Sequence, residues 1–345
     1  MIDIETMVEP PAAEPLKPIF TPVDKVAEFP HSDELPEGCQ VFDINTDDFF
    51  YSTYITHETY VTRRDVDGND LDLQMTIYTP FHDDGNMPDG KPEAGWPVIV
   101  IIRGAAFFKP NLSSFNSLYI RLAEKGYMVV VPEYRPSTVD PFPAQMQDCK
   151  TAVRYVRRNA ERLDADPNRI ALFGDSAGGH TVLMAGFTGD REPDTPDYGE
   201  TSAEVRCIID WYGPTDFVKM NYYPSSQDHN PAQCPEGMEL GGVSVLENPE
   251  LSRAASPMTY LSADRPTPPT LIMHGGRDLL VPFNQSCRLY ATMKALDKDV
   301  TFYKLDNASH AAYGFRSDKA IGLVLDWLRT RLRNRRIQRL CCNVT

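Results

Sequence analysis

The segment Ile170-Ala171-Leu172-Phe173-Gly174-Asp175-Ser176-Ala177-Gly178-Gly179-His180 decides how the rest of the chain is read. Its first four residues are an unbroken apolar run, the pattern of a strand covered on both faces. From Ala177 to about position 187 the pattern is helical. Between strand and helix stands G-x-S-x-G, at 174–178. At such a junction the turn is so tight that only glycine fits the flanking positions, and the serine is pushed out above the sheet. Ser176 is therefore the candidate nucleophile. The turn also aims the N–H of Ala177 and the positive end of the helix at a developing oxyanion. A glycine-rich turn with an incidental serine is the plainer alternative, and the residues around it decide between the two.

Working outward, Pro97 to Ile102, Tyr127 to Val131, Cys207 to Trp211 and Leu271 to Met273 are further continuous apolar runs. Helical patterns separate them, at about 114–125, 144–163, 177–187, 284–296 and 315–340. Earlier, Tyr54 to Val61 and Leu71 to Tyr78 alternate apolar and polar residues around the charged turn Asp65-Val66-Asp67-Gly68-Asn69, which predicts an edge hairpin. The expected fold class is α/β: a mostly parallel central sheet flanked by helices on both faces, with a small cap-like insertion at about 216–245. The expected domains are a Pro- and acid-rich arm at 1–45 and one catalytic domain at 46–340. In such a sheet the chemistry gathers at the carboxyl ends of the strands.

With this arrangement the acid and then the base follow the serine in the chain. The histidines after Ser176 are His180, His229, His274 and His310. His180 lies one turn into the nucleophile helix, His229 falls in a Pro- and Asn-rich insertion, and His274 ends a strand ahead of the acid. His310 sits in a loop after the last strand-like segment, Val300 to Leu305, where it can reach the strand tips. Asp278, in the loop after Leu271 to Met273, is the candidate orienter that fixes the base's tautomer and stabilises its imidazolium. Asp306 competes, but four residues from His310 on the same loop it reads as a turn residue.

Composition narrows the partners. Over 345 residues the net charge is −15, which argues against nucleic acid and for a neutral or cationic substrate. Arg329, Arg331, Arg333, Arg335, Arg336 and Arg339 end an amphipathic helix and read as a solvated face that favours the helix dipole. Seven cysteines, an odd number without C-x-x-C spacing, fit a reducing compartment and no zinc site. The acidic start Met1-Ile2-Asp3-Ile4-Glu5 lacks the basic and apolar regions of a signal peptide, and no run is long enough to span a bilayer. A cytoplasmic protein without metal or organic cofactor is expected, its oligomeric state open.

With these residues in hand, the chain resembles the esterase and lipase branch of the α/β-hydrolases, in particular bacterial feruloyl-esterase-like and acetyl-esterase-like carbohydrate esterases. The likeness covers about residues 70–330. It rests on Glu133-Tyr134-Arg135 with Pro141-Phe142-Pro143, on the Ser176 motif, on Trp211-Tyr212-Gly213-Pro214-Thr215-Asp216, on Ala255-Ser256-Pro257, and on His274-Gly275-Gly276-Arg277-Asp278 with Val281-Pro282. The resemblance implies an oxyanion hole after the third strand, where such enzymes carry His-Gly-Gly-Gly and this chain has Arg103-Gly104-Ala105-Ala106. The hole is expected from the N–H groups of Ala105, Ala106 and Ala177, with negative φ at both loop alanines, and Arg103 is expected in a structural ion pair. Phe107, Phe108, Tyr222 and Tyr223 are candidate substrate contacts or, equally, packing residues. The implied substrate is a short-chain acyl ester, acetyl first, of a carbohydrate or similar alcohol. A cinnamoyl ester comes second; a prolyl-oligopeptidase-type peptidase and a non-catalytic binding protein on the same scaffold are the alternatives.

Overall fold

The computed structural model describes residues 52–81 and 92–332, which fall in one compact unit. The arm at 1–45, Cys39, Cys341, Cys342 and the arginines from Arg333 onward lie outside the described residues.

Eight strands form one sheet: β1 (Ser52–Arg64), β2 (Asp70–Phe81), β3 (Trp96–Ile102), β4 (Met128–Pro132), β5 (Ala165–Asp175), β6 (Cys207–Trp211), β7 (Thr270–Gly275) and β8 (Val300–Leu305). Their spatial order is β1-β2-β4-β3-β5-β6-β7-β8. β2 pairs antiparallel with β1 and β4, and the other pairs are parallel. The predicted hairpin is present and longer than its alternating core, and its turn closes as Asp65 accepts from the amides of Asp67 and Asn69 at 2.9 and 2.8 Å.

The helices are α1 (Asn116–Ala123), α2 (Ala144–Arg158), α3 (Ala160–Leu163), α4 (Ala177–Thr188), α5 (Pro235–Glu239), α6 (Pro249–Ala254), α7 (Asn284–Ala295) and α8 (Asp318–Leu332). Alternate residues of β3 explain the layering, because successive side chains of a strand point to opposite faces. Val98, Val100 and Ile102 join the core beneath α2, α4 and α7, whereas Ile99 and Ile101 join the core beneath α1 and α8. Both faces are covered, and so the central strands read as continuous apolar runs rather than as alternation. On α8 the predicted amphipathic face is borne out: Leu325, Leu328 and Leu332 are buried, while Arg329 pairs with Asp326 and Arg331 with Asp299.

Every residue of α4 is buried, and its first turn lies almost on the backbone of β3. A β-carbon on Gly178 would come within 2.0 Å of the Ile102 carbonyl oxygen, and one on Gly174 within 2.1 Å of the Gly178 carbonyl oxygen. Because backbone cannot move aside as a flexible side chain can, an added methyl here must shift the helix. Gly178→Ala is expected to lower the unfolding free energy by roughly 3 kcal/mol, with the drop read from urea titration; unchanged stability would mean that α4 can shift away from β3 freely.

Candidate active site

The close approach of α4 to β3 leaves the connection between β5 and α4 one residue in which to reverse direction. Ser176 is that residue, with φ 53° and ψ −126°. For a residue with a β-carbon such a φ costs about 1–2 kcal/mol, and it persists where the surroundings over-determine it. The Ser176 amide donates to the carbonyl of Trp211 at 2.8 Å, tying the turn to the end of β6. The side chain projects above the carboxyl ends of the strands.

Three predicted residues meet there. His310, in the loop between β8 and α8, places Nε2 2.9 Å from Ser176 Oγ. Its Nδ1 lies 2.8 Å from Asp278 Oδ2, in the loop after β7. The His310 ring rests against the ring of buried Tyr212, centroids 4.8 Å apart. Asp306 stays at the surface and pairs with Lys304, as befits a turn residue.

Asp278 accepts more than the imidazole. Its Oδ1 takes the amides of Leu280 and Val281 at 2.9 and 3.0 Å, and its Oδ2 also faces His274 Nε2 at 3.1 Å. Burial alone would raise its pKa, but the hydrogen bonds from His274 and His310 outweigh it and hold the carboxyl down at about 2. The sequence carries a signal for the His274 contact, since His274 and Asp278 are four apart in His-Gly-Gly-Arg-Asp, although the pattern alone shows His274 as the end of a strand. The other histidines serve elsewhere. His180 is buried, pushed down to about 4 by desolvation, with Nε2 2.6 Å from the Ala255 carbonyl. His229 is buried in the insertion beside Glu236, 3.0 Å away, whose hydrogen bond raises its pKa against the opposing effect of burial.

The loop after β3 departs from expectation in one respect. Ala105 has a negative φ, but Ala106 lies at 53° and Phe107 at 66°, so the condition of negative φ at both alanines fails at Ala106. The reason is a tight turn in which the Phe108 amide donates to the Ala105 carbonyl at 2.9 Å. Two further bonds hold it: Tyr134 Oη donates to the Arg103 carbonyl at 2.9 Å, and the Ser137 amide donates to the Phe107 carbonyl at 2.8 Å. Arg103 makes the expected ion pair, with Asp175, and stacks 3.5 Å over Phe115. The Gly104 amide also donates to Asp175, at 3.0 Å, so it is committed. Among the described residues, the amides of Ala105, Ala106 and Ala177 have no acceptor. Gly104 itself sits so close that a β-carbon there would lie 2.8 Å from Ser176 Cβ, which puts the loop directly beside the serine.

Phe107 corrects a second expectation. It is 2% exposed and packs edge-on against His180 and Phe217, in a cluster with Ala177, Cys234, Leu240, Val245 and Ala255. It therefore holds the insertion onto the start of α4 and offers no surface to a ligand. Phe108 and Tyr223 are part-exposed, and Tyr222 is 63% exposed with Lys219 3.9 Å over its ring. Between β6 and β7 the chain forms the short turn Phe217–Tyr222 and α5 within the expected 216–245, and α6 and the short turn Pro257–Tyr260 beyond it. The insertion is fastened to the Asp278 loop, where Ser225 Oγ donates to the Leu280 carbonyl at 2.8 Å and Ser226 Oγ to the Leu279 carbonyl at 2.7 Å. Among the described residues no helix is long and apolar enough to cross a membrane.

A mostly parallel sheet with a strained serine between the fifth strand and its helix, and an aspartate and a histidine meeting it from two later loops, defines the α/β-hydrolase fold. Within that fold the chain belongs to the BD-FAE family, whose model matches residues 84–293. It is similar to a probable carboxylic ester hydrolase, LipM of Mycobacterium tuberculosis, 30% identical over 62% of this chain and 49% of the relative. Esterase LipC of the same organism is 27% identical over 86% of this chain and 68% of the relative. The chain thus spans about half of LipM's length and about two thirds of LipC's. Among solved structures, a truncated carbohydrate esterase from gut microbiota is 28% identical at TM-score 0.68, covering 82% of this chain and 98% of that one.

The environment of Asp278 has a pH signature. A carboxyl held at about 2 stabilises the fold fully above its unfolded value near 4, and that contribution is lost as pH falls through about 2. Asp278→Asn is expected to reduce the unfolding free energy at pH 7 by roughly 2 kcal/mol. The gap between variant and wild type should close between pH 4 and about 2 in urea titrations; a gap of constant size would show that the charge of Asp278 is not its source.

Proposed function

We propose that this chain is a serine carboxylic ester hydrolase in which Ser176, His310 and Asp278 act as nucleophile, general base and orienter. The observation that carries the reading is the unbroken row from hydroxyl to imidazole to carboxylate, at 2.9 and 2.8 Å, on a strained turn. In the first half-reaction the Ser176 oxygen bonds to the ester carbonyl carbon, and its proton passes to His310 Nε2. Asp278 stabilises the imidazolium so formed, and the amides of Ala105, Ala106 and Ala177, without an acceptor among the described residues, receive the oxyanion. Collapse breaks the bond to the leaving alcohol, which takes the proton from His310. Water then repeats the sequence on the acyl-enzyme and releases the acid.

For the substrate we infer a short-chain acyl ester, acetyl first, of a carbohydrate or similar small alcohol. Two things support this: the net charge of −15, which disfavours anionic substrates, and the likeness to a structure described as a carbohydrate esterase. Leu279 and Leu280, directly after Asp278, and Tyr313, three residues after His310, are exposed apolar groups that could meet the alcohol portion.

Hydrolysis of 4-nitrophenyl acetate is expected, with kcat/KM falling as the acyl chain lengthens from acetyl to decanoyl, and with little cleavage of aminoacyl amides. Ser176→Ala should lose at least about 1,000-fold in kcat and all labelling by a fluorophosphonate probe. Intact protein that neither labels nor hydrolyses any ester would favour a binding protein on this scaffold. Preference for feruloyl over acetyl esters would move the substrate to the cinnamoyl class.

A further inference from the structure

Behind the acid stands a second imidazole that the reaction just described does not use. His274, the fifth residue of β7, is fully buried, and its Nε2 faces two acceptors at once: Asp278 Oδ2 and the Val281 carbonyl, each at 3.1 Å. With acceptors on that side, the network assigns the proton to Nε2. On the far side of the ring, Ser286 Oγ, from α7, lies 2.7 Å from Nδ1 and donates to it in the neutral ring. Ser286 is itself fully buried, so the ring is gripped at both nitrogens and cannot turn its N–H away from the carboxylate.

Asp278 Oδ2 is therefore shared between two imidazoles, His274 at 3.1 Å and His310 at 2.8 Å. A carboxylate oxygen that already accepts one N–H is a weaker acceptor for the next, and its orientation is set by both. Other groups face this pair from the packed elements. Tyr212, after β6, lies against both rings; Ser176 lies beyond His310; and Arg316, with the Lys304–Asp306 and Arg103–Asp175 pairs, carries charge farther out. Among them only His274 and His310 hydrogen-bond to Asp278 through their side chains.

We propose that His274 is a positioning residue for the triad: its locked Nε2–H fixes Asp278 Oδ2 toward His310 and limits how strongly that carboxylate draws the proton onto the base. The proposal rests on the serine-esterase reading above. Its consequence is directional. Without the His274 donor, Oδ2 binds the imidazolium of His310 more strongly, so the free enzyme holds its base protonated up to a higher pH. It also loses a hold on the carboxylate's orientation.

The test is hydrolysis of 4-nitrophenyl acetate by the full chain from pH 5 to 9. His274→Phe, which keeps a ring but has no donor, is expected to shift the acid limb of kcat/KM upward by about half a unit, a ~3-fold loss below the limb beyond any plateau change. Plateau kcat should fall about 10-fold with KM unchanged, because the residue touches no substrate. His274→Gln places an amide N–H near the position of Nε2 and should restore the wild-type limb. His274→Asn reaches only toward Ser286 and should behave like His274→Phe, and it is read in its place if the Phe variant fails to fold. An unshifted limb in a folded Phe or Asn variant, or a Gln variant as displaced as they are, would overturn the proposal. Ser176→Ala, assayed alongside, separates the two ideas: retained activity there sinks the triad reading itself, whereas its loss with an unshifted limb sinks only the role of His274.

Discussion

The constraint on which the site depends is steric: the backbone of Gly178 rests on the carbonyl of Ile102, with no room for a side chain. That contact pulls the start of α4 against β3 and shortens the connection from β5 to a single reversing residue. The left-handed φ of Ser176 follows from it, as does the exposure of the hydroxyl. Asp210, in register with Gly174 on the neighbouring strand, reinforces the same closeness. A β-carbon on Gly179 would come within 2.3 Å of its carboxyl, and burial raises that carboxyl to about 8. The serine's exposed position thus begins as a packing problem solved by four small residues, 177 to 179 and 174.

Charge at the strand tips is handled in three ways, according to what each carboxyl must do. Asp175 is paired with Arg103 and bonded to the Gly104 amide, so it works as a clasp between the strand before the serine and the loop beside it. Asp278 keeps its charge because two imidazoles and two amides donate to it. Asp210, with one amide donor and an Oδ2 without a partner among the described residues, is instead shifted by burial toward its neutral form. Burying an ion without donors costs several kcal/mol, and so the number of donors around each carboxyl sorts it into clasp, orienter or neutral filler.

The strands, their helices and the three residues of the row were legible because each rests on a local pattern: apolar runs for buried strands, G-x-S-x-G for the elbow, and chain order for acid and base. What the sequence concealed depends on contacts between distant segments. His274 was legible as a strand end, but its role depends on Val281 and Ser286 closing around the ring. The sequence leaves Phe107 open between ligand contact and packing residue; the arrival of Phe217 and its neighbours from the insertion decides for packing. The left-handed Ala106 was equally hidden, since alanine carries none of the preference for positive φ that marks glycine in a sequence.

That last feature shows how the loop beside the serine keeps its shape without the expected glycines. Two successive residues at positive φ, each costing about 1–2 kcal/mol, would relax unless something opposed them. Burial of the Phe107 side chain, worth about 1.5–3 kcal/mol, opposes them from one side, and the Tyr134 and Ser137 hydrogen bonds from the other. Phe107 is held by Phe217 and His180, so the insertion and α4 both press on the strained pair. The direction of the Ala105 and Ala106 amides is therefore set by the seating of the insertion, and the insertion is seated in turn by its serine bonds to the loop that carries Asp278. Glycines would adopt the same backbone with less strain but would leave it free to relax; Ala106 and Phe107 keep it because the insertion, α4 and the loop carrying Asp278 are packed against one another.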